Sequence, residues 1–379
     1  MKKVLFITNI PSPYRVDMYN SMQKLAQKNN FDFEVLFLRI IEDDRNWQVD
    51  TDKFKFKYYI DKGFYHFFAS RGVHFHFNLA IIKKALKTDK DTHIILSGSW
   101  NFLTITILFL LKRFNILKNK THFWGEANYM YSVVSQELFI YKFINKIRSF
   151  IINSIDGKII CPGEISKKTY LEYWNINKEF ILFPNLINEK RFIFTPRIPK
   201  EKLHFLIVAR LDEKTKGILN LLLNIEKELY KKIVINIAGS GEDKEKIENF
   251  LKVNNINSVN LLGNCSQENM KKLYQDNDIF LLPSLKDPNP LSVIEAAFSG
   301  MPLVISNRCG NYPEIVETKG ENKNGFVYDP INKIEINKII NQLLDMDNQE
   351  LSNLGKHSSI IAKNRFSTTK SILDLISKL

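Results

Sequence analysis

Two carboxylates stand eight positions apart, at Asp287 and Glu295, in a segment that reads as strand, loop and helix. The apolar run 279–282 leads into Pro283-Ser284-Leu285-Lys286-Asp287-Pro288-Asn289-Pro290, and a helical pattern then opens near Leu291 and stops before Gly300 and Pro302. A helix starting there would leave the backbone N–H groups of Leu291 and Ser292, just after Asn289 and Pro290, free to hold a diphosphate at the positive end of its dipole. Asp287 can accept hydrogen bonds from sugar hydroxyls. Glu295, one turn into the helix, can accept them from the diol of a ribose, because a carboxylate is a two-oxygen acceptor. The bland alternative for this segment is a capping loop followed by a surface Glu. Upstream, Arg210 and Lys216 precede Gly217. A planar fork and a point charge together suit a diphosphate and its departing charge. Charged loops are common, so this pair gains its meaning from the carboxylates downstream. Ala238-Gly239-Ser240-Gly241 and Leu262-Gly263 follow apolar runs, where Gly239, Gly241 and Gly263 would let the backbone approach a nucleotide.

The first half offers other polar groups. Pro11-Ser12-Pro13-Tyr14-Arg15 follows the first apolar run, either as a site for Ser12, Tyr14 or Arg15 to meet a ligand or as a rigid loop that starts a helix. Glu126 follows the run 121–124 and reads either as a functional carboxylate or as a helix cap. His74-Phe75-His76 is the only close pair among seven histidines. Its spacing places both rings on one strand face, but with no carboxylate or Cys nearby no metal site is expected. The aromatic stretch 63–77 reads as pocket lining or core.

Apolar runs at 4–8, 33–38, 93–96, 121–124 and 158–161 predict buried strands, with helical patterns at 79–86 and 138–152 between some of them. A second series at 203–209, 233–238, 259–262, 279–282 and 303–306 repeats the alternation. Strand–helix alternation implies parallel sheets wound with helices, and two series imply two doubly wound domains whose ligands lie at the carboxyl ends of the strands. The 379 residues suit two cores. The join is expected at 191–202, a charged stretch with two prolines, and 368–379 reads as a final amphipathic helix. Three widely spaced cysteines argue against a disulfide framework or zinc site and fit a reducing cytosol. The start reads as a strand, not a signal peptide, and the longest apolar stretch, 102–111, is too short to span a bilayer. Followed by Lys112-Arg113 and Lys118-Asn119-Lys120, that stretch is either a core helix or an interfacial helix on an anionic leaflet. Residues 1–190 carry 28 Lys and Arg against 18 Asp and Glu, so the net charge of +13 lies mostly in the first half. Such a surplus suits an anionic partner or a merely soluble basic surface.

Asp287 and Glu295 in their strand–loop–helix resemble the E-x7-E motif of retaining glycosyltransferase family 4, with Asp where the family usually has its first Glu. Arg210 and Lys216-Gly217 stand where that family carries Arg and Lys-Gly. Cys309-Gly310-Asn311-Tyr312-Pro313-Glu314-Ile315-Val316 is similar to its G-G-x-P-E-I-V, with Asn311 for the second Gly, and Asn324-Gly325-Phe326 precedes Asp329-Pro330 in the family's order. The resemblance covers about 203–330. It implies a GT-B fold, α/β with two Rossmann-like doubly wound domains facing a central cleft. An acceptor-binding domain at 1–190, a nucleotide-sugar-binding domain at 191–365 and a helix at 366–379 returning to the first domain are expected. It further implies that Arg210 and Lys216 neutralise the leaving diphosphate without a metal, that Asp287 contacts the transferred sugar and that Glu295 contacts the ribose. The first half departs from the family. Pro11-Ser12-Pro13 replaces the usual Gly-Gly, a form similar to bacterial surface-polysaccharide transferases, so Ser12 or Arg15 would meet a diphosphate or the acceptor instead. Glu126 replaces the usual His near the reacting carbon, where a carboxylate could bind the donor sugar, stabilise an oxocarbenium-like transition state or take the acceptor's proton. The expectation is a cytoplasmic, metal-independent hexosyltransferase with no cofactor, working at the inner face of the cell membrane. It would use a UDP-sugar first and a GDP-sugar second, and act on a glycan or lipid-linked glycan of capsule, O-antigen or other surface polysaccharide. A nucleotide-sugar epimerase on the same architecture is the enzymatic alternative, but would not need the Asp287–Glu295 spacing. A basic protein binding membrane or nucleic acid is the other, though no nucleic-acid motif accompanies the charge.

Overall fold

Strands buried on both faces require near-continuous apolar sequence, and the runs found above form two parallel sheets of that kind. The computed structural model describes residues 1–45, 47–68, 73–129, 139–195 and 200–379, without the side chains of 139–141. The chain divides into two units, Met1–Leu186 with Thr368–Leu379, and Ile187–Ser367.

The first unit contains β1 (Lys2–Thr8), β2 (Phe31–Phe37), β3 (Lys57–Ile60), β4 (Phe64–Phe68), β5 (Val73–Phe77), β6 (Thr92–Ser97), β7 (Thr121–Trp124), β8 (Ile159–Cys161) and β9 (Phe180–Leu182). Seven of these pair in the order β3-β2-β1-β6-β7-β8-β9, all parallel, while β4 and β5 form a separate antiparallel hairpin. Alternate residues of β1 enter different cores: Leu5 and Ile7 join Ile94, Leu96 and Phe123, whereas Val4 and Phe6 join Tyr19, Trp124 and Ile160. The terminal helix Thr368–Lys378 adds Ile372, Leu375 and Ile376 to the second of these, and Lys2 Nζ donates to the Ile376 carbonyl at 2.6 Å. The second unit contains β10 (Leu203–Val208), β11 (Ile233–Ala238), β12 (Val259–Gly263), β13 (Ile279–Leu282), β14 (Leu303–Ser306) and β15 (Gly325–Tyr328), in the order β12-β11-β10-β13-β14-β15. Among the described residues, no helix is long and apolar enough to cross a membrane.

Some readings change. β3, β9, β15 and the β4–β5 hairpin appear beyond the expected strands. The stretch 102–111 forms the helix Leu103–Arg113, whose Thr104, Ile105, Leu108, Phe109 and Lys112 are all buried. Lys112 pairs with Asp156 at 2.6 Å, so this is a core helix and not an interfacial one. Of the expected join, 196–199 lies outside the described residues, as does Leu138 of the helical pattern at 138–152; the helix there runs Phe139–Ile152. Residues 69–72 of the aromatic stretch also lie outside them, and the rest of it forms the hairpin and its flanks. His74 and His76 do have carboxylates beside them, contrary to the sequence reading. His76 Nε2 lies 3.1 Å from Glu42 Oε1, and His74 Nε2 lies 3.5 Å from Asp44 Oδ1. These pairings span 30 and 34 positions, so local sequence does not show them. Arg45 Nε, 3.9 Å from Glu42 and 3.4 Å from Asp44, supplies the cation that this cluster needs.

One buried ring sets a pH dependence for the first unit. The Lys158 N–H donates to His122 Nδ1 at 3.0 Å, so the His122 proton sits on Nε2, which faces His93 Nδ1 at 3.0 Å. Burial, helped by the neighbouring His93 and Lys120, pushes the His122 pKa down to about 3. The unfolded ring has the ordinary value of about 6.5, so unfolding takes up a proton below it. Stability from this ring is therefore complete above pH 6.5 and drains away as pH falls toward 3. Urea unfolding should weaken between pH 6.5 and 5 by as much as roughly 1.4 kcal/mol per pH unit from this ring, a slope that His122→Gln should reduce. A His122 ring titrating near 6.5 by NMR would contradict this account.

Candidate functional site

In the second unit the strand order reverses between β10 and β13, because β11 and β12 lie on one side of β10 and β13–β15 on the other. A doubly wound sheet opens a crevice at such a point, beyond the carboxyl ends of its strands. The two loops that flank it are those that carry the charged residues of the sequence reading. After β10 the chain passes Arg210 and enters the short helix Glu213–Lys216, which ends at Gly217 in the left-handed region (φ 61°). A side chain at Gly217 would meet Leu285 Cγ at 2.8 Å, so the glycine permits both the turn and the approach of the loop after β13. That approach is fixed by two backbone hydrogen bonds, from the Leu285 and Lys286 N–H groups to the Thr215 carbonyl at 2.8 and 2.9 Å.

This docking brings Lys216 and Asp287 together in an ion pair, with Lys216 Nζ donating to Asp287 Oδ2. Asp287 is buried and its backbone is held from the other side. Its N–H donates to the Arg308 carbonyl at 3.4 Å, and its carbonyl accepts from the Gly310 N–H at 2.8 Å, making a parallel bridge with Cys309. Asn311 fixes the next stretch, donating from Nδ2 to Asn289 Oδ1 at 3.2 Å and to the Pro290 carbonyl at 3.0 Å. The helix Leu291–Phe298 follows, with Pro290 at its N-cap and no side-chain cap. Leu291 and Ser292 are only half-buried, so its first N–H groups are open to an anion.

Glu295 lies one turn along that helix and accepts from Tyr274 Oη at 2.7 Å. Burial raises its pKa above the ordinary carboxylate value, against the opposing effects of the Tyr274 bond and the Arg191 charge. Tyr274 is fully buried, and burial beside Glu295 lifts its own pKa well above the usual phenol value. Arg210 is exposed and makes no hydrogen bond or ion pair among the described residues. Its backbone, by contrast, is gripped. Leu211 N–H donates to the Ser240 carbonyl at 3.0 Å and Ala209 N–H to the Ala238 carbonyl at 3.1 Å. Gly239 and Gly241 serve this contact: a Cβ would meet Ala209 O at 1.9 Å in the first and Leu211 O at 2.3 Å in the second. At these two glycines the Cβ direction is taken up by the chain's own backbone. Gly263 has a left-handed φ of 67° and open space beside it.

In the first unit the order reverses between β1 and β6, and Arg15 sits there. Pro13 opens the helix Pro13–Ala26 with Ser12 as N-cap, so the helix-start reading of this loop holds. From its first turn the buried Arg15 reaches back. Its Nη1 donates to Thr8 Oγ1 at the end of β1 (2.6 Å) and to Ser97 Oγ at the end of β6 (2.9 Å), and its Nε donates to Tyr14 Oη (3.3 Å). The guanidinium lies 4.6 Å from the centre of the Trp124 ring, and no carboxylate pairs with it among the described residues. The buried Ser12 Oγ has no hydrogen-bond partner. Glu126, exposed beyond β7, accepts from Asn185 Nδ2 at 2.8 Å.

Comparison with known proteins bears on the fold that carries these residues. Residues 188–359 match the family model of group 1 glycosyl transferases. Sucrose-phosphate synthase from Thermosynechococcus elongatus superposes with a TM-score of 0.71 over 99% of this chain and 97% of its own, at 15% identity. The fold is GT-B. Among curated relatives, an uncharacterized glycosyltransferase of Haemophilus influenzae is 30% identical over 203 residues, covering 50% of this chain and 52% of that protein. The UDP-Gal:alpha-D-GlcNAc-diphosphoundecaprenol alpha-1,3-galactosyltransferase of Escherichia coli is 29% identical over 134 residues, 34% of this chain and 32% of its own length. The chain thus spans about half, or less, of the length of these relatives.

Sequence reading named the charged residues of this GT-B site but missed Tyr274, Asn311 and Arg191, which act on them from elsewhere in the unit. Only Asn311 carried a local signal, as an Asn at the position where the similar motif has its second Gly. The grip on Arg210 gives a direct test. Gly239→Ala should destabilise the protein by roughly 2–4 kcal/mol through strain and overlap. Gly263→Ala, strained but unobstructed, should cost about 1–2 kcal/mol. Denaturant unfolding measures both, and equal losses would show that the Ala209 contact is immaterial.

Proposed function

We propose that this chain is a retaining, metal-independent glycosyltransferase of family 4, taking its sugar from a nucleotide diphosphate. The Lys216–Asp287 pair, set at the β10/β13 reversal beside an uncapped helix start, is the observation that carries this reading. The diphosphate binds the first N–H groups of the helix from Leu291, with Asn289, Pro290 and Ser292 shaping its approach, and Arg210 and Lys216 offset its charge. Lys216 has three protons and spends one on Asp287, which leaves two for phosphate oxygens. Asp287 receives sugar hydroxyls, and Glu295, oriented by Tyr274, receives the ribose. As the anomeric carbon–oxygen bond breaks, the two cations stabilise the departing diphosphate, and the acceptor oxygen bonds to the same face of the sugar while its proton passes to the departing diphosphate oxygen. An α-linked donor gives an α-linked product.

The acceptor falls to the first unit, where Arg15 with Tyr14 and Ser12 forms a positive, partly unsatisfied site and Glu126 supplies a carboxylate. A glycan carried on a lipid phosphate in bacterial surface-polysaccharide synthesis fits such a site. The E. coli relative's name specifies a UDP-sugar donor and a lipid-diphosphate acceptor, so UDP is the first choice here and GDP the second.

Thermal shift against UDP, GDP and their sugars should single out one nucleotide. A ligand at a hundred times its Kd adds about 2.7 kcal/mol to stability. Replacing Arg210 or Lys216 by Ala should lower kcat by about 10²-fold or more, and near-normal turnover in both variants would sink the assignment. Glu295 adds a pH signature. Its carboxylate must be ionised to accept the ribose, and burial raises its pKa. Nucleotide affinity should therefore fall on the acid side at a pH above the ordinary Glu value of about 4.3. A Glu295→Gln variant should bind more weakly and lose that limb; an unchanged acid limb would assign it to another group.

A further inference from the structure

The helix Phe139–Ile152 presents to solvent what the helix before it does not. Phe143 (56% exposed), Ile147 and Phe150 (50%) recur at intervals of four and three, so they form one stripe along the helix. The stripe does not end with the helix. The Arg113 guanidinium lies 3.7 Å from the centre of the Phe150 ring, and the exposed Phe114 (70%) and Ile116 (54%) follow Arg113 in the chain. Isolated exposed apolar residues are ordinary, but three in one helical stripe with two more following the cation at its end are not.

Cations outnumber acids in the chain that builds this face, whose flanking Asp156 is held by Lys112. Between Asp91 and Asp156 the chain has seven Lys and Arg and only two acidic residues, Glu126 and Glu137. Lys142 and Lys146 flank the stripe on the same helix, and Arg113 and Lys118 border Phe114 and Ile116. All four are exposed, and none pairs with a carboxylate among the described residues. Elsewhere in the first unit lysines such as Lys3, Lys53 and Lys57 do have such partners. An apolar stripe bordered by unpaired cations is the composition of a surface that lies in a membrane interface. A second copy of this chain would bring cations against cations, so it fits poorly.

We propose that the face formed by Phe143, Ile147, Phe150, Phe114 and Ile116 docks on an anionic lipid bilayer, its rings entering the headgroup boundary and its cations meeting lipid phosphates. The surface is separate from the nucleotide residues of the second unit and does not depend on the transferase reading.

The full chain should co-sediment with phosphatidylcholine vesicles enriched in phosphatidylglycerol, bind pure phosphatidylcholine less, and release as salt rises. Phe143→Ser, Ile147→Ser and Phe150→Ser combined should weaken that binding by about tenfold or more, and so should Lys142→Glu with Lys146→Glu. Both variants should keep the wild-type melting temperature and the wild-type thermal shift with nucleotide, which shows that they fold. The proposal fails if wild-type protein ignores anionic vesicles or if both variants bind like wild type. It fails equally if ultracentrifugation shows a wild-type dimer that the same substitutions split, because the face then belongs to a second copy. A missing nucleotide response with intact vesicle binding would count against the transferase reading alone.

Discussion

Each of the two parallel sheets of this protein reverses its strand order once, and the polar groups gathered in each unit depend on that reversal. A parallel strand ends with its backbone N–H and C=O groups half used, and neighbouring connections normally cover them. Where two successive connections leave in opposite directions, the ends of adjacent strands stay open. In the second unit this happens at β10 and β13, paired through Phe205 with Ile279 and Leu206 with Phe280. In the first it happens at β1 and β6, paired from Lys3 to Ile7. Lys216 and Asp287 occupy one opening and Arg15 the other. Neither pair of loops is close in sequence, so the arrangement follows from topology and not from local preference.

Holding polar groups at such an opening requires that their backbone be anchored while their side chains stay available. Arg210 shows how this is achieved. The chain around it is locked by hydrogen bonds to the loop after β11, and that loop approaches closely enough only because Gly239 and Gly241 have no side chain. Asp287 is treated alike, with its N–H and carbonyl both committed to the loop after β14 while its carboxylate faces Lys216. The glycines thus serve chemistry indirectly. They let one loop of the protein grip another while the Arg210 side chain stays exposed.

The sequence made legible what depends on short range. Continuous apolar runs located β1, β2, β6–β8 and β10–β14, since burial on both faces leaves no alternating pattern to misread. It did not reveal β3, whose Lys57-Tyr58-Tyr59-Ile60 lies at a sheet edge with two exposed residues, nor β15, whose four residues begin with glycine. The motif residues Arg210, Lys216, Asp287 and Glu295 could be named in advance. What could not be read was who restrains them: Tyr274 lies 21 positions from Glu295, and Glu42 lies 34 from His76. The helix Leu103–Arg113 shows the complementary ambiguity. A long apolar run followed by cations is equally consistent with lipid and with protein until its neighbours are known, and here Ile105, Leu108 and Phe109 are all in the core.

The two openings differ in how they carry positive charge. Lys216 is half of a neutral pair, and it needs to be, because the uncapped end of the helix from Leu291 already presents the positive end of a dipole and Arg210, on the loop after β10, pairs with no carboxylate among the described residues. Three uncompensated positive features would repel one another in the absence of an anion. Asp287 relieves that repulsion while leaving two lysine protons unused. No carboxylate makes an ion pair with Arg15 among the described residues, although Glu126 adds a longer-range attraction, yet Arg15 is buried. It can be so because a guanidinium retains its charge, two hydroxyls and a phenol accept its protons, and the face of Trp124 offers further negative potential. Neutral acceptors satisfy hydrogen bonds but do not cancel charge. The first opening therefore gains more than the second from a bound anion, which favours a negatively charged group on whatever ligand the first unit receives.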